Sequence, residues 1–471
     1  MSSQASRFQA SARLQKLAHR LIPGGCHTYA KGDDQYPVLA PGFIARGSGC
    51  LVWDVDGNEY IEYGMGNRAV GLGHAYSAVL RAVERELVRG CNFTRPSAIE
   101  VACAEQFLRL IDSAEMVKFC KNGSDATSGA VRLARAYTGR DLIARCADHP
   151  FFSTDDWFIG TTETNAGVPA AVRRLTVAFE YNDLAGAKAL FAKYPGRIAA
   201  FILEPARTEE PQEGYLQDLK ELCHANGALF ILDEMITGFR WHNGGAQKCY
   251  DVEADLCCFG KALANGFSVS ALAGKREFMR LGGLDHDRPR VFLLSTTHGA
   301  ETHALAAAIA TMQIYQREPV IEHLYQQGAR LKEQAEAVIR RRGLSDYIKI
   351  LGRPCCLLYS TLNEGGEPSQ AFRTLLLQEA IRRGVLMPSL VVSYSHTDEH
   401  IDRTVAAIDG ALEVYRRALD EGIERYLFGR PSQAVNRRHN RPAAGPGDRP
   451  AATNAAALTT PDLGCCGLIP H

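Results

Sequence analysis

Lys261 closes the run Asp255-Leu256-Cys257-Cys258-Phe259-Gly260-Lys261. A lysine after an apolar run and a glycine is placed differently from a surface lysine. The run predicts a buried strand, and Gly260 lets the backbone turn sharply at its end. The ammonium is then held at the rim of a core. Burial there lowers its pKa and frees the amine for Schiff-base chemistry. The plain alternative is a lysine that snorkels to solvent. Two upstream apolar runs also end in acids. Ile198-Ala199-Ala200-Phe201-Ile202-Leu203 leads into Glu204-Pro205, and Ala228-Leu229-Phe230-Ile231-Leu232 leads into Asp233-Glu234. Each predicts a strand of a parallel sheet, buried on both faces, with its acid at the carboxyl end. Ligands of open α/β sheets bind at that edge. The three residues recur at intervals of about thirty, the size of a βαβ unit. Glu204, Asp233 and Lys261 are therefore expected on one rim.

A carboxylate deep at a strand end needs a partner. A protonated pyridine nitrogen serves: Asp233 keeps it charged, the ring becomes an electron sink, and Lys261 forms the imine. That is the arrangement expected for pyridoxal phosphate. For Asp233 alone, a salt-bridged or capping aspartate is the alternative. The phosphate needs its own site, and Phe119-Cys120-Lys121-Asn122-Gly123-Ser124-Asp125-Ala126-Thr127 offers one. Ala126, Ala130, Leu133, Ala134 and Tyr137 then fall on one helical face, and Gly139 is a plausible stop. Asn122-Gly123-Ser124 is read as a turn opening that helix. Its free amides and the helix dipole attract a phosphate. Gly123 allows close backbone approach and Ser124 adds a hydroxyl. An ordinary N-cap is the bland alternative.

These runs, with Leu21-Ile22-Pro23-Gly24-Gly25, Val52-Trp53-Asp54-Val55-Asp56-Gly57-Asn58-Glu59-Tyr60, Val131-Arg132-Leu133-Ala134-Arg135-Ala136-Tyr137 and Asp233-Glu234-Met235-Ile236-Thr237-Gly238-Phe239-Arg240, carry a family resemblance. The chain resembles the class III aminotransferases among the fold type I pyridoxal phosphate enzymes, and within them the glutamate-1-semialdehyde 2,1-aminomutase subgroup. The likeness spans about residues 14 to 420. It implies an α/β fold with a mostly parallel central sheet, helices on both faces and a smaller C-terminal α/β domain. It implies Lys261 as the lysine bound to the cofactor and as proton shuttle, and Asp233 at the pyridine nitrogen. Met235 would lie on one ring face, where the family usually has a smaller aliphatic residue. Gly123 and Ser124 would bind the phosphate. Thr297, in Ser295-Thr296-Thr297-His298-Gly299, would reach the partner subunit's phosphate, which implies a homodimer with shared active sites. Glu204 would line the site.

Two stretches depart from the family. Many relatives carry a Tyr-His-Gly turn whose ring stacks on the pyridine. Here Cys146-Ala147-Asp148-His149-Pro150-Phe151-Phe152 puts Asp148 at the tyrosine and looks lengthened. His149 keeps the family's histidine, and Phe151 or Phe152 would supply the stacking face, unless both only pack a loop. Near the start, Cys26-His27-Thr28-Tyr29-Ala30-Lys31 falls where the family forms its substrate mouth. His27, Tyr29 and Lys31 suggest a polar substrate, a sugar or an acid, and a solvated loop is the alternative. Arg207 is placed to hold a substrate carboxylate, or else is neutralised by Glu209 and Glu210. Arg240 is expected to anchor backbone.

Composition fits a globular enzyme. The 471 residues carry Lys+Arg 53 against Asp+Glu 53, a formal net charge of zero. That gives no reason to expect nucleic acid or an anionic membrane as partner. No apolar run approaches the roughly 18 residues of a membrane span, and Met1-Ser2-Ser3-Gln4 lacks a signal pattern. The 14 cysteines show no zinc spacing. Cys103, Cys120, Cys223, Cys257 and Cys258 read as buried thiols, the adjacent pairs suit neither metal nor disulfide, and Cys465-Cys466 forms no prenylation box. No metal is expected, and the cytoplasm is the simplest compartment.

The chain is expected to divide into an N-terminal segment (1–60), a large cofactor domain (61–310), a small C-terminal domain (311–428) and a disordered tail (429–471) rich in Pro, Ala, Asn and Arg. In the small domain a helix from Gln370 to Leu377 leads to a strand near Leu390-Val391-Val392, and Ser395-His396-Thr397 precedes a final helix. The function expected is transfer of an amino group from an amino acid to a small aldehyde or ketone. Intramolecular amino transfer is the alternative. Decarboxylation, racemisation and a cofactor-bound scaffold without turnover rank below them.

Overall fold

In the computed structural model, which describes residues 6–435, 437 and 438, helix α1 (Gln9–Leu21) leads into an antiparallel meander of β1 (Ile44–Ser48), β2 (Leu51–Asp54) and β3 (Glu59–Glu62). The large domain follows with β4 (Met116–Cys120), β5 (Leu142–Cys146), β6 (Thr176–Phe179), β7 (Ile198–Leu203), β8 (Leu229–Asp233), β9 (Leu256–Phe259) and β10 (Ser270–Gly274). Among the described residues they form one seven-stranded sheet in the order β4-β10-β9-β8-β7-β5-β6. Only β10 is antiparallel to its neighbours, β4 and β9. Two antiparallel steps restore direction, so β4 runs parallel with β9. The carboxyl ends of β4, β7, β8 and β9 therefore all meet at one edge.

The strands read from continuous apolar runs are those buried on both faces. Every residue of β7, β8 and β9 is buried. Each large side chain there, such as Phe201 or Ile231, contributes on the order of 2 kcal/mol by leaving water. The mostly parallel sheet expected from the sequence is present.

Helix α2 (Gly123–Thr138) starts three residues after β4. Ala126, Ala130, Leu133 and Ala134 are fully buried, and Gly139 ends the helix in the left-handed conformation (φ 66°). A side chain at 139 would strain that cap, which is why glycine stops the helix there.

The smaller C-terminal unit contains α3 (Val320–Arg341), the hairpin of β11 (Ile348–Leu351) and β12 (Leu358–Thr361), α4 (Gln370–Arg382) and α5 (Asp398–Glu421). The strand expected near 390–392 lies earlier. It is β13 (Val385–Leu386), which pairs in parallel with β3. Pro388 has no N–H to donate and ends the pairing. Beyond it Leu390 makes a single bridge to Leu357, and the Val391 N–H donates to the Tyr63 carbonyl. The N-terminal segment and the C-terminal unit thus share a sheet. Ser395-His396-Thr397 does precede the last helix. Thr397 caps α5, while the Ser395 hydroxyl donates to the Leu72 carbonyl (2.7 Å).

The described part of the expected tail is anchored. Arg430 donates to the Asp33 carbonyl (2.8 Å), Arg437 pairs with Asp34 (2.6 Å), and Ser432 is buried with its N–H donating to the Thr374 hydroxyl (2.8 Å). Residues 439–471, including Cys465-Cys466, lie outside the described residues. Among the described residues twelve cysteines are free, and no helix is long and apolar enough to cross a membrane. Cys103, Cys120, Cys223, Cys257 and Cys258 are all buried, and burial pushes each thiol pKa up. No group of three or more His, Cys, Asp or Glu suited to a metal occurs among the described residues.

Candidate active site

Register places the chemistry. Leu203 of β7 pairs with Leu232 of β8, so Glu204 emerges level with Asp233. Asp233 in turn pairs with Cys258 of β9, three residues before Lys261. The three residues expected on one rim are on it. Asn122-Gly123-Ser124 follows β4 at the same edge, and Cys120 pairs with Ser270 at the start of β10.

Lys261 has a left-handed backbone (φ 45°), and its Nζ makes no hydrogen bond or ion pair among the described residues. Burial lowers its pKa, against the opposing pull of Asp233 and Glu204. Asp233 is 3% exposed. Its Oδ1 accepts the Met235 N–H (2.9 Å), and its carboxylate takes no second hydrogen bond. Burial first, and then Glu204, push the Asp233 pKa up to about 7, with Lys261 opposing. Such a carboxylate gains from a cationic N–H donor. Glu204 is also buried, and its Oε2 has no hydrogen-bond partner. Burial raises its pKa, while Arg207, Lys261 and Arg68 hold it down. The neighbouring acid, Glu234, does structural work instead. It accepts the N–H groups of Ala246 (2.8 Å) and Gln247 (2.9 Å) and the Thr237 hydroxyl.

The turn at Gly123-Ser124 opens a helix, where backbone amides are placed to hold an anion. The first amides of α2 have no intrahelical acceptor. Ser124 Oγ accepts the Thr154 N–H (3.0 Å), which leaves its own proton for an outside acceptor. Met235 lies directly beneath. A Cβ at Gly123 would come within 2.8 Å of the Met235 sulfur, and one at Gly260 within 2.7 Å. Met235 is thus wedged between the phosphate turn and the turn that carries the lysine.

The loop at 146–157 is fastened to the body. Asp148 accepts the Tyr181 N–H (2.7 Å). His149 is buried, and its Nδ1 accepts the Glu204 N–H (3.0 Å), so the ring proton sits on Nε2. Burial and the nearby Arg207 push its pKa down to about 3, which keeps it neutral. Phe152 is buried against Phe158, and its carbonyl accepts the Thr127 hydroxyl (2.7 Å). Phe151 is 51% exposed and has a face to offer.

Thr297 stands apart from this cluster. It is exposed, and its carbonyl accepts from Asn92 Nδ2 (3.1 Å). With Asn92, Phe93 and Phe119 it lines a cavity of about 590 Å³. Glu301 ties its loop to Lys121, just before the phosphate turn (2.6 Å). His27 and Lys31 line another cavity, of about 720 Å³, with Glu62, Asn67, His74 and Arg430. Tyr29 is outside it and 72% exposed.

Arg240 anchors backbone, as expected: it is buried and donates to the Ile236 and Arg68 carbonyls (2.6 Å each). Glu209 and Glu210 do not neutralise Arg207. Glu209 takes Asn182 (2.7 Å), and Glu210 takes Arg353 through both oxygens (2.7 and 2.9 Å). Two residues of the rim escaped the sequence reading. Arg68 ends a run of four left-handed residues, Met65 to Arg68. Asn265 joins the lysine turn to the Leu72 N–H (2.9 Å) and the Gly73 carbonyl (3.0 Å). The Asn265-Gly266 pair was a readable turn signal; nothing local marked Arg68.

A lysine with a free amine, an acid with a spare oxygen and an anion-binding turn on one edge suit pyridoxal phosphate. Residues 29–412 match the aminotransferase class-III family. The chain belongs to that family. It is 35% identical to the glutamate-1-semialdehyde 2,1-aminomutase of Desulforudis audaxviator over 85% of this chain and 97% of that protein. The FumI protein of Sphingopyxis sp. MTA144, solved as its PLP internal aldimine form, superposes with a TM-score of 0.80 at 30% identity, covering 87% of this chain and 97% of that one. An omega-transaminase from Sphaerobacter thermophilus gives 0.78 at 27% identity, with 86% and 98% covered. This class III chain is a pyridoxal-phosphate-dependent enzyme of the transaminase or aminomutase type.

Proposed function

We propose that this protein is an aminotransferase that moves an amino group from an amino-acid donor to the aldehyde or ketone of a small biosynthetic metabolite. The rim carries the reading: the unpaired Lys261 amine, the spare Asp233 oxygen and the Gly123-Ser124 turn lie at one sheet edge. Pyridoxal phosphate bound there supplies an aldehyde that exchanges amines and a ring that takes up an electron pair. Lys261 would hold the cofactor through Nζ, and the same Nζ would move a proton to and from the substrate carbon. The second Asp233 oxygen would accept the pyridine N–H and hold that proton in place. The Gly123 and Ser124 amides and the Ser124 hydroxyl hold the phosphate. Met235, Phe151 and His149 would hold the ring, and Glu204 would border the substrate.

Intramolecular transfer is the second reading. It is favoured by the 35% identity to a protein named as an aminomutase. A mutase must retain its diamino intermediate behind a gate. The loop at 146–157 differs from the relatives' turn and is held down by Asp148, His149 and Phe152. That supports exchange between separate substrates. The test is to give the loaded protein glutamate 1-semialdehyde alone, and separately an amino-acid donor alone. Keto-acid release from the donor supports transfer. Conversion of the semialdehyde to its amino-shifted isomer without a donor would establish the mutase.

Thr297 is exposed and lines a cavity that neither Lys261 nor Asp233 lines, which supports a homodimer with shared sites. Loss of activity in Thr297→Ala, restored by mixing with Lys261→Ala, would bear this out. Twelve free thiols among the described residues support a reducing compartment, the cytoplasm.

A further inference from the structure

The phosphate turn has few groups left to give. Asn122 and Asp125 form a reciprocal cap, with Asp125 Oδ2 accepting the Asn122 N–H (2.9 Å), so the amides of both are taken. That leaves the amides of Gly123 and Ser124, which have no acceptor inside the helix. Lys121, the cation just before the turn, is committed to Glu301 (2.6 Å). An anion seated on this turn therefore meets two amides and the Ser124 hydroxyl, and the aim of that hydroxyl matters.

The hydroxyl is aimed from outside the helix. The segment from Phe152 to Trp157 lies along one face of α2, where Ser124, Thr127 and Ser128 stand three and four residues apart. Thr127 Oγ1 donates to the Phe152 carbonyl (2.7 Å). Ser128 Oγ accepts the Trp157 indole N–H (2.8 Å) and bonds Ser153 Oγ (3.0 Å). Ser153 Oγ in turn accepts the Asp155 N–H (3.0 Å). Thr127, Ser128, Ser153 and Trp157 are all buried, in a setting that strengthens each bond and makes its loss costly. Thr154 sits between the anchored Ser153 and Asp155. Its side chain is exposed, and its N–H donates to Ser124 Oγ (3.0 Å). With that side of the oxygen occupied, the Ser124 proton points away from Thr154. The segment follows Asp148-His149, where the chain departs from its family's turn.

We propose that Thr154 is a positioning residue of the cofactor site. Its backbone N–H turns the Ser124 hydroxyl so that the proton is given to the cofactor's phosphate, a charge-assisted bond. The bonds among Ser128, Ser153 and Trp157 hold that N–H in place. This rests on the assignment of the phosphate to Gly123-Ser124. The role counts most when the cofactor carries the amino group. Pyridoxamine phosphate has no aldehyde, so Lys261 cannot hold it covalently, and the phosphate contacts must retain it between the two halves of a transfer.

The test titrates pyridoxamine phosphate, and pyridoxamine lacking the phosphate, into the full-length protein freed of cofactor. The variants are Ser124→Ala, Thr154→Pro, which removes the N–H, and Ser153→Ala, which loosens the segment and leaves the backbone donor in place. The last two are also made in Ser124→Ala. Thr154→Pro is expected to weaken pyridoxamine phosphate about tenfold, the worth of one hydrogen bond to a charged group. Ser153→Ala should weaken it about threefold, a partial loss of the same bond. Pyridoxamine should change by less than about twofold in both. In Ser124→Ala neither change should weaken pyridoxamine phosphate further, and Ser124→Thr, which keeps the hydroxyl, should bind as wild type does. Should Thr154→Pro not fold, Ser153→Ala decides by the same criteria. Equal loss of both ligands, or the same loss with and without the Ser124 hydroxyl, would overturn the proposal, since the segment would then shape the pocket without acting through Ser124. So would pyridoxamine phosphate binding unmoved by Thr154→Pro and Ser153→Ala while Ser124→Ala weakens it. If Ser124→Ala itself binds pyridoxamine phosphate as wild type does, the phosphate assignment falls and the role of Thr154 falls with it.

Discussion

Replacing Gly123 by alanine probes the packing beneath the phosphate turn. The new Cβ would lie 2.8 Å from the Met235 sulfur, 3.3 Å from its methyl and 3.4 Å from its Cγ. The sulfur cannot retreat toward the lysine turn, because it already fills the space beside Gly260, 2.7 Å from where a Cβ would stand. Overpacking of this kind costs about 1–3 kcal/mol. Alanine recovers at most about 1 kcal/mol over glycine in a helix, and less in the first turn. Gly123→Ala should therefore lose up to about 3 kcal/mol in wild type, yet gain slightly when Met235 is also alanine. The coupling between the two sites is then about 1–3 kcal/mol, well outside the scatter of independent sites. Urea unfolding of wild type, both single variants and the double variant, all without cofactor, measures it. Cofactor titration of the same proteins should show about tenfold weaker binding for Gly123→Ala, largely recovered by Met235→Ala. Coupling near zero would refute the wedge and with it the account of why both turns carry glycine.

Lys261→Ala should abolish turnover while cofactor still binds more weakly through the phosphate turn; full activity in that variant would remove Lys261 from the chemistry. The Asp233 carboxyl titrates near 3.8 when unfolded and about 7 in the folded, cofactor-free protein. The folded form thus keeps a proton that the unfolded form releases between about pH 4 and 7. This group makes the cofactor-free protein less stable as pH rises through that window. Relative to wild type, Asp233→Asn should gain melting temperature from pH 4 to 7; parallel curves would contradict the raised pKa. Truncation after residue 438 serves as the reference for the melting temperature. Truncation after residue 429 removes the Ser432 and Arg437 contacts and should lower it, since each buried hydrogen bond contributes about 1 kcal/mol.

The rim was legible because its strands are continuous apolar runs. β7, β8 and β9 are buried on both faces, and each carries its chemistry at or just beyond its carboxyl end. The helix after Gly123 was equally plain, since Ala126, Ala130 and Ala134 repeat every four residues and Gly139 stops it. The pairing of Val385–Leu386 with β3 was not legible: two residues are too few for a period, and their partner lies over three hundred residues away. Arg68 was hidden for a related reason. Gly66-Asn67 in Met65-Gly66-Asn67-Arg68 is a turn signal, but it predicts neither four left-handed residues nor the bond from Arg240 to the Arg68 carbonyl. The freedom of Arg207 could not be read either, because it depends on Glu209 and Glu210 finding Asn182 and Arg353. Local sequence shows where a charge is. Tertiary structure decides whether it is already paired.

The central claim is that the Lys261 amine, opposite Asp233, binds pyridoxal phosphate, and that the cofactor held there takes up the amino group of a donor. Its most direct test is the absorbance spectrum of the purified, cofactor-loaded protein, followed while amino acids are added singly with no acceptor present. The account predicts the visible band of lysine-bound cofactor, absent in Lys261→Ala. One class of carboxylate-bearing donor should bleach it while releasing one equivalent of keto acid. No such band after cofactor addition, or the same band in Lys261→Ala, would contradict it.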